Sequence, residues 1–244
     1  MPGIDRGIVL RYNKRRCFRS PISAAIKNFP LTILTTMKVL AINGSPKNNG
    51  NTAQALAILL EEVQNAGIET EIHTIGNKAV RGCIACGQCI EKQNGRCNAF
   101  DDAVNELVPK MIAADGLVLG SPTYFAGMNG TLKSFLDRAF YVARGKMRLK
   151  FGTAVVAVRR SGGIETFDQL NKYFQISEMT TAGSCYWNVI HGMTPGEIHQ
   201  DLEGVRIVKT VGRNLVWLLK LAEHGQGVIT PPEPLSPART NFVR

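Results

Sequence analysis

The sequence contains no apolar run approaching the roughly 18–20 residues that a membrane-spanning helix needs. Cysteine is sparse: six in 244 residues are too few for a secreted scaffold built on disulfides. Nothing repeats at a fixed period of about 20–50 residues, so a solenoid or propeller is not expected. The chain has no G-K-[ST] ending to a glycine-rich loop, no G-x-G-x-x-G, no G-x-S-x-G and no H-x-x-x-H. A P-loop nucleotidase, a dinucleotide-binding Rossmann site, a serine-triad hydrolase and a helical metallohydrolase site therefore lack support. The four histidines, His73, His191, His199 and His224, are scattered and are expected to be structural. Acidic residues are nearly missing from one region. Residues 1–36 hold seven cations and one acid, Asp5, so this segment carries +6 and the other 208 residues only +4. The overall charge of +10 is thus a weak argument for a nucleic-acid partner, since such binding would rest largely on residues 1–36. That segment lacks the apolar core of a secretory signal and reads as a basic, flexible extension, with Met37 a candidate start of the native protein.

From Met37 onward, short β-type runs alternate with longer amphipathic stretches. Strands are expected at Lys38–Asn43, Thr70–Ile75, Gly116–Gly120, Gly152–Val158 and Ser184–Ile190. Helices are expected at Thr52–Ala66, from Asp101 or Asp102 to about Ala114, at Thr131–Val142, Glu165–Phe174 and Val205–Ala222. This alternation predicts an α/β fold, a doubly wound parallel sheet of five strands with helices on both faces. Residues 37–223 form that domain, and 224–244, with four prolines, form a loose tail. In such sheets ligands sit beyond the carboxyl ends of the strands. The loops after strands one, three and four are therefore the candidate site.

The first loop, Gly44–Thr52 (GSPKNNGNT), joins strand one to a helix N-terminus, where backbone N–H groups attract an anion. Ser45, Asn51 and Thr52 add side-chain donors, and Lys47 adds charge. The stretch KVLAINGSPKNNGNTAQAL resembles the phosphate loop of flavodoxin-like FMN reductases, the NADPH-dependent FMN reductase and iron–sulfur flavoprotein group. Gly44, Ser45, Lys47, Gly50, Asn51 and Thr52 match that motif. A second motif, SPTYFAGMNGTLKSFLDR from Ser121 to Arg138, resembles the second flavin loop and the helix after it. The resemblance implies strand order 2-1-3-4-5 and bound FMN, with Ser45, Lys47, Asn49, Asn51 and Thr52 at the phosphate. It also implies ring contacts from Pro122, Thr123, Tyr124 and Phe125, with Gly127 and Asn129 nearby, and from Ser161, Gly162 and Gly163 in the third loop. Arg159 or Arg160 would face the reduced flavin or the phosphate of a nicotinamide cofactor. Asp137 and Arg138 are expected to stabilise their helix or an interface.

Cys83, Cys86, Cys89 and Cys97 fall within fifteen residues, in the long loop after the second strand. Three thiols two residues apart favour a [4Fe–4S] cluster, although the gap of seven before the last departs from the ferredoxin run. Reduced structural thiols, zinc and a redox dithiol remain alternatives. Cys17 and Cys185 are expected bystanders. The expected function is an NAD(P)H-dependent FMN, quinone or small-acceptor reductase. The alternative is an electron carrier using the cluster. The reading further expects a cytoplasmic homodimer or homotetramer, with 192–204 a candidate interface, and neither nucleic acid nor membrane as partner.

Overall fold

The computed structural model describes residues 37–236. The basic extension 1–36 and the last residues of the tail lie outside the described residues. In chain order the elements are β1 (Lys38–Asn43), α1 (Asn51–Asn65), β2 (Glu69–Thr74), α2 (Gln88–Lys92), α3 (Ala103–Ala113), β3 (Gly116–Tyr124), β4 (Gly127–Met128), α4 (Gly130–Val142), β5 (Phe151–Val158), α5 (Gly163–Ile176), β6 (Thr180–Thr181), β7 (Val189–His191) and α6 (Leu202–Gly225).

The sheet runs β2-β1-β3-β5 in parallel, and both β6 and β7 pair with the outer edge of β5. Its central strands β1, β3 and β5 are apolar on both faces because both faces are covered. Leu40 and Ile42 of β1, Leu117 and Leu119 of β3, and Ala154 and Val156 of β5 pack under α3, α4 and α5. The alternate residues Val39, Ala41, Val118, Val155 and Ala157 pack under α1 and α6. A strand's period of two thus feeds two separate cores, one per face.

Strand order and connectivity agree with the expected flavodoxin-like sheet, with two corrections. The fifth strand is not continuous over Ser184–Ile190. It is split into β6 and β7, and the chain between them leaves the sheet. The gap is closed by buried Asn188, whose Nδ2 donates to the Ala154 carbonyl and to Thr153 Oγ1, while its own carbonyl accepts from Val156 N–H. A side-chain amide can replace ladder hydrogen bonds in this way, although Asn188 Oδ1 is itself buried without a partner among the described residues. The stretch after Gly120 is likewise not simply a loop. β3 continues to Tyr124 and turns back on itself through β4. Helix α2 forms inside the expected cysteine loop, and α6 extends to Gly225, past the predicted end of the domain. Among the described residues no helix is long and apolar enough to cross a membrane.

Candidate functional site

The carboxyl ends of β1, β3, β5 and β7 all open on one edge of the sheet. The first loop is held in shape by its own polar residues. Buried Asn43 accepts from Ser45 N–H at 3.0 Å and donates to Thr74 Oγ1 at 3.1 Å, which ties the loop to β2. Ser45 Oγ accepts from Lys47 N–H at 3.2 Å. Gly44 N–H crosses to the Gly120 carbonyl on β3 at 2.8 Å. Helix α1 then starts at Gly50 with no side chain capping it. The residues of its first turn, Asn51 and Thr52, line the cleft, and an uncapped helix end of this kind favours an anion.

Ser45, Lys47, Asn51 and Thr52 line a cleft of about 290 Å³ together with Pro122, Thr123 and Tyr124. Arg159 borders it from the third loop, and no carboxylate lines it. The sequence-predicted residues are therefore mostly brought together, on a positive and anion-seeking floor. Three groups fall elsewhere. Asn49 stands outside the cleft, exposed at the loop tip. Phe125 is fully exposed at the turn of the β3–β4 hairpin and walls nothing in this chain. Ser161, Gly162 and Gly163 line a neighbouring cavity of about 390 Å³, which also holds Tyr186 and Trp187, a T-shaped aromatic pair.

The second and third loops are locked together. Phe125 and Ala126 both have positive φ, 48° and 55°, as a tight two-residue hairpin turn requires. Non-glycine residues rarely accept this conformation. Gly162 packs on that turn with φ of 82°, and a Cβ there would come within 2.9 Å of Ala126 Cα. Thr166 Oγ1 meets Thr123 Oγ1 at 3.3 Å. Asn129 is buried and caps α4 by accepting from Thr131 and Leu132 N–H. It serves the loop's shape and does not line the cleft.

A fourth segment was not anticipated as part of this cleft. Gly192, Met193 and Pro195, after β7, close its remaining side. They are tied down by Asn51, whose Oδ1 accepts from Gly196 N–H at 2.9 Å. The Gly-x-x-Pro-Gly punctuation marked a turn there, but nothing in the sequence links it to Asn51.

The four cysteines line one tight hollow with Phe100, Tyr141 and Arg138. Positive φ at Ala85 and Gly87 bends the loop so that Cys83, Cys86 and Cys89 reach it. Among the described residues no three His, Cys, Asp or Glu side chains are arranged as ligands of a single metal ion. Burial pushes the Cys89 thiol up, with the nearby Cys97 and Cys86 adding to the rise. Burial also acts upward on Cys97, but the Arg138 guanidinium and the backbone N–H groups of Phe100 and Ala99 outweigh it and hold this thiol below its ordinary value. Arg138 is the residue whose place was missed. Its spacing from Leu132 and Phe135 on α4 puts it on the buried face, and its side chain is only 1% exposed. Asp137 accepts from Lys133 and Tyr173 on the outside of the helix, as a stabilising residue should.

Comparison with known proteins agrees with this geometry. Residues 37–194 match the family described as NADPH-dependent FMN reductase. An iron–sulfur flavoprotein of Methanocaldococcus jannaschii is 36% identical over 193 residues, which cover 76% of this chain and 98% of that protein. An iron–sulfur flavoprotein of Methanosarcina thermophila is 30% identical over 191 residues, 77% of this chain and 97% of the relative. Among solved structures, the Trp repressor binding protein from Bacillus subtilis superposes with a TM-score of 0.53 at 20% identity, covering 71% of this chain and 98% of that one, a likeness of fold alone. The match over well more than half the chain and the cradle at the end of β1 agree: the chain belongs to the NADPH-dependent FMN reductase family of flavodoxin-like, FMN-dependent oxidoreductases.

Proposed function

We propose that this oxidoreductase takes hydride from NAD(P)H at FMN and passes electrons onward singly through a [4Fe–4S] cluster held by Cys83, Cys86, Cys89 and Cys97. The observation that carries the proposal is the pair of sites on one chain: an uncapped helix end facing a cleft without carboxylates, and four thiols around a single hollow. The relatives named above as iron–sulfur flavoproteins support the second half.

The residues present fit both groups. The N-terminus of α1, with Ser45, Thr52 and the Lys47 charge, suits a phosphate monoester. Pro122 to Tyr124, which line the same cleft, offer a wall for a ring. Arg159, at the border of the cleft, would offer a positive charge to a reduced flavin held there. Four thiols lining one hollow, three of them two residues apart in sequence, are the donor set that a [4Fe–4S] cluster would take. When bound, FMN supplies the exchange between a two-electron hydride donor and one-electron carriers. Helix α4 links the sites: from its cap at Asn129, beside the flavin loop, to Arg138 in the hollow is nine residues, about 13 Å of helix axis. An acceptor of modest size, a quinone or a protein surface, is the proposed destination, and a cytoplasmic homo-oligomer the proposed form.

The test is anaerobic purification followed by visible spectroscopy, with iron and acid-labile sulfide assays on the same sample. Flavin bands with about four irons per chain and stoichiometric NAD(P)H oxidation are expected. Flavin without iron reduces the proposal to a flavin-only reductase. No bound flavin, and none taken up, overturns it.

A further inference from the structure

We infer that Arg138 is a donor to sulfur in the cysteine hollow and thereby sets the reduction potential of what the cysteines hold. The inference rests on the cluster reading above and adds to it a residue outside the cysteine motif.

The guanidinium is more buried than a surface ion pair requires. Nη1 donates to Asp102 Oδ2 at 2.5 Å and to the Arg81 carbonyl at 3.2 Å, and Nη2 to the Phe100 carbonyl at 3.4 Å. The Phe100 ring covers one face of the group, with its centroid 5.0 Å from Cζ. These contacts fix the plane of the fork and orient it. They leave one donor over: the Nε–H is buried and has no acceptor among the described residues. A buried N–H without an acceptor is costly, so a protein rarely keeps one unless it has a partner in the working state. Among the described residues Arg138 lines the same hollow as all four thiols, with Asn98 and Tyr141 as the other polar side chains there.

The partnership with Asp102 explains why the cation is tolerated in the interior. Asp102 is itself fixed, because its Oδ1 caps α3 at Val104 N–H. The carboxylate thus neutralises the arginine without following it. Reducing the cluster adds one electron and one negative charge, and no bond forms or breaks. A fixed positive donor beside the sulfurs stabilises that added charge, and hydrogen bonds to sulfur are among the levers that set such potentials. Removing the donor must therefore make the cluster harder to reduce.

The experiment is an anaerobic redox titration of the full chain, with the cluster followed by electron paramagnetic resonance and the flavin by absorbance. The main variant is Asp102→Asn with Arg138→Met, which removes the donor and both charges together, leaves no lone buried ion and keeps a helix cap at position 102. Arg138→Lys keeps the charge but lacks an Nε. With iron content equal to the parent, the double variant should show the cluster's oxidised-to-reduced ratio shifted at least about tenfold toward oxidised at a given potential, 59 mV for one electron. Arg138→Lys should fall between, and the flavin potential should stay put. A merely structural arginine would lower iron content or stability and leave the potential of loaded protein unchanged. An iron-loaded double variant titrating at the parent potential overturns the inference. If neither variant loads iron, parent protein grown on arginine labelled with heavy nitrogen decides: coupling of the reduced cluster to that nitrogen supports the inference and its absence overturns it. A parent chain without iron overturns the cluster reading and this inference with it.

Discussion

Replacing Gly76 by alanine tests whether the loop after β1 holds a phosphate. Gly76 follows the carboxyl end of β2 and lies against the backbone of the first loop. A Cβ there would sit 2.1 Å from the Gly44 carbonyl oxygen, 2.4 Å from Ser45 C and 2.5 Å from Ser45 O. Carbon contacts settle at roughly 3.5 Å, so one segment must move by more than about 1 Å. The obstacle is backbone, so no side-chain rotation can relieve it. Ile75 N–H is held by the Asn43 carbonyl at 2.9 Å, and Gly44 by β3, so neither partner is free to drift. Absorbing the methyl in place should cost about 1–3 kcal/mol of stability. Moving the loop instead should cost at least about 1.4 kcal/mol of FMN binding, a tenfold weaker Kd. The assay is fluorescence titration of flavin-free protein with FMN and with riboflavin, which lacks the phosphate, alongside thermal unfolding. The variant should lose preference for FMN over riboflavin. Gly183→Ala, where nothing lies within 4 Å of an added Cβ, is the control and should bind as the parent does. Unchanged FMN affinity and preference in Gly76→Ala would refute the assignment of the cradle.

Asn51→Ala should free the segment after β7 from the phosphate loop and cost about 1 kcal/mol, roughly a fivefold weaker FMN Kd; equal affinity in the same titration would show that the Gly196 tether does not shape the cleft. Ala126→Gly should relieve a positive-φ strain of about 1–2 kcal/mol, offset by roughly 0.5–1 kcal/mol from the extra freedom of glycine when unfolded. A small net rise in Tm is expected, read by calorimetry, and a fall would mean that the turn is not strained. Glu71 accepts from Lys110, Lys38 and His73, which pull its carboxyl from an ordinary 4.5 down to about 2. A pKa lower in the folded than in the unfolded chain stabilises above the ordinary value and is lost as pH falls through the folded one. Stability should therefore drop between about pH 4.5 and 2, and Glu71→Gln should flatten this drop in denaturant midpoints taken across that range.

The sheet was legible in the sequence because both faces of its central strands β1, β3 and β5 are buried. Runs such as KVLAIN and GTAVVAV then read as unbroken apolar strands, and the helices between them show their stripes. The first and second loops were legible for a related reason, since their turn formers adjoin strong strand and helix signals. What stayed hidden depends on pairings between distant residues. The split of the last strand turns on Asn188 reaching β5 across more than thirty positions, and an asparagine in an apolar run reads only as a flaw in a strand. The closing of the cleft by Gly192–Gly196 turns on one hydrogen bond to Asn51, 145 positions away. Arg138 was visible as a cation on an apolar stripe, but what it meets is decided by the fold of the cysteine loop. Phe125 shows the opposite limit: residue type suggested a ring wall, while the backbone of a two-residue turn directs it outward.

The broken outer edge bears on how copies of the chain can meet. A sheet edge is a row of open hydrogen-bonding groups and invites another edge to join it. Here one border offers only the two residues of β6 and the three of β7, with a side excursion between them. The opposite border, β2, reads ETEIHT and carries Glu69, Glu71 and His73. Neither border offers a long, flat, uncharged strand, so continuous sheets spanning two molecules are disfavoured. Association, where it occurs, is left to helices and to the loops at the carboxyl end of the sheet, the same end that opens on the cleft.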